Sequence, residues 1–468
     1  MLDSAGPADH AAAPLQAASS HRRELVTRLN RSARRKTARL RVLGEFEFGQ
    51  GLTVARYGLG NGLNVLVQSD HSAPVFSYHT WYRVGSKHEK PGKTGLAHLF
   101  EHLMFNETKH LRKGQLDRMI EGAGGETNAA TWVDWTHYHS ELPSSELDMI
   151  VGIESDRMQH LVLREPQLVS EKEVVQNERR YRVDDDIEGE VGELLYATAF
   201  EHHPYGWPTI GWMRDIEGFT LADCRRFYKT YYAPNNATLV VVGDVDEEQV
   251  LRLVQKHYGR IAPSPLPQLR AAVEPPQRKE RVREISRPTP ASKLLLGYRA
   301  PSFRDPDFVP LALANDVLFG GRSSRLFSRL LADEELVTDL HGSIAPFAEQ
   351  GLYEIWLSLR PDREISQALR IVDQELMRIC NKLVSARELE KVKNRAELGF
   401  LQGLETAAGR AEQLGFFEVV AGDAQGLLSR LQALRAVTPR DIQRVARRYL
   451  KPQRRTRIHV LPAAEATP

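Results

Sequence analysis

The sequence predicts an α+β protein made of two αβ halves of related design, and three observations predict it. The chain has 468 residues, too many for one compact core and enough for two domains. A proline-rich stretch, "APSPLPQLRAAVEPPQ", interrupts it near the middle and reads as an extended linker. The third observation is a repeat. "TLADCRRFYKTYYAPNNATLVVVG" from Thr220 and "TPRDIQRVARRYLKPQRRTRIHVLP" from Thr438 share Thr-x-x-Asp, a basic helical run, Tyr-x-x-Pro and a β-rich close. The spacing Thr220 to Pro234 equals that from Thr438 to Pro452. The boundaries that follow are a basic, flexible N-terminal extension over 1–45, a first half over 46–261, a linker over 262–284 and a second half over 285–464.

The elements follow in order. Residues 1–20 are rich in Ala, Pro and Ser and lack the apolar centre of a secretory signal. That favours the cytoplasm, with the periplasm as the alternative if a signal has been removed. Next comes "HRRELVTRLNRSARRKTARLR", with nine Lys/Arg and one acid. It reads as a solvated, partly helical extension; a nucleic-acid or acidic-membrane anchor is the less favoured alternative. Asn61-Gly62 is a hairpin-turn dipeptide and precedes the strand "GLNVLV". "VFSYHTWYRVG" reads as a second strand, "GLAHLFEHLMF" as a helix after Gly95, and "TNAATWVDWTHYHSEL" as one strand. Helices are expected over roughly 144–162 and 166–182, the second with Ser170 and Glu173 as a capping box near its first turn.

Composition excludes several classes. Hydrophobic residues make up 41% and charged residues 26%, as in ordinary globular proteins. The net charge of +2 does not point to nucleic acid. Two cysteines cannot build a disulfide framework. No apolar run approaches about 18 residues, so no transmembrane helix is expected.

The chemistry concentrates in His98-Leu99-Phe100-Glu101-His102. On a helix, residues i and i+4 share a face, so His98 and His102 aim two imidazoles at one point. A catalytic zinc takes three protein ligands and keeps one position open. Glu101 lies near the same face, placed to act as general base toward a water. The order H-x-x-E-H is the inverted zinc-peptidase signature. The motif does not contain its third ligand. Glu171 and Glu178, in "SEKEVVQNERR", are two helical turns apart and share a face; one can ligate while the other orients a ligand or water. A solvated acidic face is the alternative there. His137 and His139 are further candidates, read preferentially as surface aromatics.

With these motifs in hand, the chain resembles the pitrilysin/insulinase zinc metallopeptidases, in their bacterial processing-peptidase-like branch of about 50 kDa. "HLFEH" matches the inverted motif. "GGETNAATWVDWTHYHSEL", "HPYGWPTIGWMRDIEGFT" and "YYAPNNATLVVVGDVD" match further signatures, and the likeness covers roughly residues 50 to 460. The resemblance implies one Zn2+ held by His98, His102 and Glu178, with Glu101 as base and Glu171 as support. It implies two halves, each a mostly antiparallel sheet packed with helices, enclosing a chamber for unfolded or short peptides. Substrate would lie beside the sheet at Asn128 and Ala129 as an added strand.

One departure is informative. "GGRSSRLFSRLLADEELVTDL" resembles a family segment that carries an Arg and a Tyr seven residues apart, which contact substrate and stabilise the tetrahedral intermediate. Leu331 and Thr338 stand at those positions, and Arg325 and Arg329 are near but misplaced. The expectation is a zinc endopeptidase subunit that joins a homologous subunit carrying the Arg/Tyr pair in a hetero-oligomer. A non-catalytic scaffold subunit of the same fold is the alternative.

Overall fold

The computed structural model describes residues 19–49, 51–268 and 272–463. Seven strands build the first sheet: β1 (Leu40–Gly49), β2 (Leu52–Leu59), β3 (Asn64–Ser69), β4 (Val75–Tyr82), β5 (Glu126–Thr131), β6 (Thr136–Pro143) and β7 (Ala237–Gly243). Five build the second: β8 (Arg281–Arg287), β9 (Lys293–Arg299), β10 (Val337–Ile344), β11 (Leu352–Leu359) and β12 (Arg455–Pro462). Their orders are β1-β2-β3-β7-β4-β6-β5 and β10-β11-β9-β12-β8. The second order, reversed, repeats the first from β3 onward. In each sheet one pair is parallel, β3 with β7 and β8 with β12, and the other pairs are antiparallel. This is the α+β fold of two related halves that the repeat predicts. The repeated segments are the helices Leu221–Tyr231 and Pro439–Tyr449, each opened by a Thr/Asp capping box and followed by β7 or β12.

The two halves exchange helices. Helix Ile187–Ala199, from the first half of the chain, packs on β8, β9 and β12; helix Ala407–Phe416, from the second, packs on β4 and β7. Two glycines permit this closeness. A Cβ at Gly415 would lie 2.0 Å from the Trp81 Nε1, and one at Gly297 would lie 3.0 Å from Leu195. The joint is filled by apolar side chains from both halves, such as Trp81, Val240 and Leu414 in one cluster and Leu195, Leu295 and Phe347 in the other. Strands β4 and β7 are therefore buried on both faces, which is why "ATLVVVG" reads as a continuous apolar run instead of alternating.

Four expectations need correction. Residues 20–45 are not a flexible extension. Ser20–Asn30 is a helix that buries Leu25, Val26 and Leu29, and β1 begins at Leu40; residues 1–18 lie outside the described residues. The linker expected over 262–284 ends earlier, because Arg281 to Glu284 already pair with β12. "TNAATWVDWTHYHSEL" is not one strand but the hairpin β5–β6. The helix that carries Glu171 and Glu178 is Glu165–Arg179, so Ser170 and Glu173 lie inside it and form no capping box; the Arg164 N–H donates to Gln167 instead.

Candidate metal centre

The helix Leu96–Leu103 carries the H-x-x-E-H motif and buries Leu96, Leu99, Phe100 and Leu103. Its N-terminus is unusual. The cap is Gly95, at φ +94°, where a Cβ would lie 2.4 Å from the Ile210 carbonyl oxygen. Glycine is required there and cannot cap with a side chain. Glu89 supplies the missing acceptor from outside the helix. Its carboxylate accepts the Gly95 N–H at 2.8 Å and the Ala97 N–H at 2.7 Å. At the other side of the turn, Asp215 accepts the Thr94 N–H and hydroxyl. The Tyr138 hydroxyl donates to the Phe100 carbonyl at 3.1 Å. The motif helix is thus held at its start and on its buried side.

Helix Glu165–Arg179 brings Glu178 to the two imidazoles. Glu178 Oε2 lies 3.5 Å from His98 Nε2 and 3.3 Å from His102 Nε2. Tetrahedral coordination at about 2.0–2.1 Å sets neighbouring donors roughly 3.3–3.4 Å apart, so these separations suit an ion between the three. Two imidazole nitrogens and one carboxylate oxygen are also a catalytic zinc donor set. The other oxygen of Glu178 is held by Arg182 at 3.0 Å. His98 Nδ1 is buried without a hydrogen-bond partner. Burial lowers the His98 pKa to about 4 against the pull of Glu178, which keeps that ring neutral and its lone pair free. Burial pulls His102 down too, but its hydrogen bond to Glu178 and the surrounding carboxylates outweigh this and raise it.

Glu171 stands behind His102, its Oε2 4.0 Å from the Nδ1, and accepts from Asn106 at 3.0 Å. Glu101 is half-buried; burial pushes its carboxyl above the usual range, against the pull of His102. Thr131 ends β5, and β5 is the edge strand beside this site. Asn128 and Ala129 lie on β5, where the Ala129 N–H donates to the Asn128 side chain.

Other expected residues fall elsewhere. His137 is not a surface aromatic. It is buried, stacks on Trp81 with ring centres 3.9 Å apart, and its Nε2 is 2.8 Å from His79 Nδ1. Leu331 packs on the second core, and the Thr338 hydroxyl donates to the Ser358 carbonyl. Arg325 grips Glu388 with two nitrogens, at 2.8 and 3.1 Å, and Arg329 pairs with Glu375. A second histidine–carboxylate group, His110–Asp156–His160, holds its donors 2.5 and 2.8 Å apart. Those are hydrogen-bond distances, too short for the edges of a tetrahedral ion site. Sequence reasoning missed Glu89 and Asp215. The available signal was the glycine cap itself, which demands an outside acceptor.

Among the described residues, no helix is long and apolar enough to cross a membrane. Residues 64–211 match the family model described as insulinase (peptidase family M16), and residues 218–396 match the one described as peptidase M16 inactive domain. The chain is 30% identical over 416 residues to the zinc protease PqqE of Helicobacter pylori, covering 86% of this chain and 92% of that protein. It is 26% identical to the mitochondrial-processing peptidase subunit beta of Lentinula edodes, covering 84% and 86%. The crystal structure of a protease from Helicobacter pylori superposes with a TM-score of 0.84 at 29% identity, covering 87% of this chain and 99% of that one. With two successive M16 family models matched over residues 64–211 and 218–396, and with this fold, the chain belongs to the insulinase family, peptidase family M16.

Proposed function

We propose that the chain is a zinc-dependent endopeptidase subunit. The observation that carries this is the convergence of His98, His102 and Glu178 at separations that suit one tetrahedral ion, with Glu101 half-buried beside them. A zinc ion held by these donors would supply Lewis acidity to a water and to a peptide carbonyl. Glu101 takes the proton of the attacking water and returns it to the leaving amine. Its burial raises its proton affinity, which suits a group that must hold a proton between the two steps. Glu171 and Arg182 keep His102 and Glu178 turned toward the same point. The β5 edge offers backbone groups at Asn128 and Ala129 to an extended peptide. Retention of all four motif residues argues against the scaffold alternative.

Dialysis against a strong chelator should abolish hydrolysis of an unstructured peptide, and added zinc should restore it. Glu101→Gln should bind zinc normally and lose turnover by several orders of magnitude. Undiminished activity in either case would refute the reading.

The subunit role rests on the second half. Leu331 has no donor for a developing oxyanion, the Thr338 hydroxyl donates to the Ser358 carbonyl, and Arg325 and Arg329 are committed to carboxylates within their own half. A lost oxyanion donor typically costs about 10²–10³ in rate. The partner is therefore a homologous subunit that carries the Arg/Tyr pair and closes the chamber over this chain's metal centre. One relative is itself named as a subunit. The lone chain, loaded with zinc, should hydrolyse peptide weakly and gain at least 100-fold with the homologous subunit. Full activity alone would eliminate the partner.

A further inference from the structure

One concentration of charge is left unused by the proposed chemistry. The chain as a whole is nearly balanced, with 63 basic and 61 acidic residues, yet residues 31–41 hold six basic residues and no acid. The structure folds this stretch against the end of helix Glu247–Tyr258. Between them lies a cleft of about 470 Å3 lined by Arg34, Arg35, Arg252, Lys256 and Arg260. No acidic and no aromatic side chain lines it. Lys256 reaches Asp148 at 3.6 Å; the four arginines have no carboxylate within 4.0 Å among the described residues.

The frame beneath these side chains is fixed. The Thr37 hydroxyl donates to the Gly259 carbonyl at 2.8 Å, and the Gln255 amide donates to the Ala38 carbonyl at 3.0 Å. Backbone contact is close as well: a Cβ at Gly259 would lie 2.5 Å from the Ala38 Cβ, and one at Gly60 would lie 2.0 Å from the Lys36 carbonyl oxygen. The arginines are therefore presented by a built surface. The C-terminal end of a helix carries only about half a negative charge, far short of balancing five cations. Like charges gathered in one concavity favour an anion of matching charge density.

We propose that this cleft binds a compact polyanion built of two or three linked phosphate groups. Guanidinium forks grip phosphate oxygens in pairs, and about 470 Å3 is a small-ligand volume. A nucleic-acid strand is disfavoured because nothing in the cleft offers a face for base stacking. A flat lipid surface is disfavoured because the charges converge into a concavity. The cleft shares no residue with the metal centre.

The test is calorimetric titration of inorganic tripolyphosphate and pyrophosphate into the zinc-loaded full-length chain. Saturable one-to-one binding is expected, weakening as salt screens the charges. The triple variant Arg34→Gln/Arg252→Gln/Arg260→Gln should bind at least tenfold more weakly with an unchanged melting temperature. The matching Arg→Lys triple variant keeps the charge but not the paired grip and should fall between the wild type and the glutamine variant, which guards against a variant that simply misfolds. No saturable binding by the wild type, or equal binding by the glutamine variant, would overturn the proposal. So would retention on phosphatidylglycerol vesicles or on a single-stranded oligonucleotide that free tripolyphosphate does not displace.

Discussion

At the scale of single residues, the helix that carries the H-x-x-E-H motif depends on a side chain outside it. Gly95 must be glycine because of its φ of +94° and the nearby Ile210 carbonyl, so the helix starts without a cap of its own. Glu89 replaces that cap by accepting two buried N–H groups. Glu89→Ala should leave both donors unsatisfied, at a cost of about 1–3 kcal/mol each when no water reaches them. A lower melting temperature in the metal-free protein and weaker zinc retention in competition with a chelator would show it. Glu89→Gln keeps one acceptor and should fall between. If zinc affinity stayed unchanged in both, the helix would be held by its packing alone. The His-Glu-His pattern was legible because helical spacing fixes which residues share a face. Glu89 was not legible, because a cap supplied through a loop leaves no periodic trace.

At the scale of elements, capping carries the internal repeat. Thr220 and Thr438 each accept the N–H of an Asp three residues on, and each Asp carboxylate returns to the Thr N–H and hydroxyl. The geometry is the same at both sites, so the effect should be too. Thr220→Ala and Thr438→Ala should each cost about 1 kcal/mol, read as a shift in the urea midpoint with an unchanged slope. Widely different shifts would mean that the two helices are held by different forces. These elements were legible because their signals are local. The hairpin β5–β6 was not. Its turn, Trp132 to Trp135, contains no Gly, Pro or Asn, and its shape comes from distant partners. Ser86 and Lys87 donate their N–H groups to the Trp132 and Val133 carbonyls, and Tyr205 and the Ala348 N–H hold Asp134. The basic helix Ser20–Asn30 was misread for a related reason. Its charge dominates the composition, while only Leu25, Val26 and Leu29 reveal the side that packs.

At the scale of the whole molecule, the halves are joined by exchanged helices and by a polar clamp at the rim of one apolar cluster. Lys87 bridges Asp134 of the first half, at 2.5 Å, and Glu349 of the second, at 3.3 Å. His203 Nε2 meets Glu349 Oε2 at 2.9 Å, and the Glu349 N–H donates to the Tyr205 hydroxyl. The hydrogen bond to His203 holds the Glu349 pKa down at about 2, with Lys87 helping and burial opposing. An unfolded glutamate titrates near about 4.3. The folded value is therefore depressed, and the clamp's contribution is present above about 4.3 and fades as pH falls toward 2. Glu349 is 37% exposed, so solvent screening keeps the effect modest. Glu349→Gln should lower the melting temperature at pH 7 by roughly 1–3 °C. Comparing both proteins in chelator keeps any effect of the proposed metal in acid out of the comparison. The gap between wild type and variant should then narrow steadily below about pH 4. A gap that stayed constant across this range would assign the loss to packing of the Phe347–Glu349 turn, and would leave the coupling of the halves to the exchanged helices, the shared apolar clusters and ion pairs such as Arg56 with Glu418.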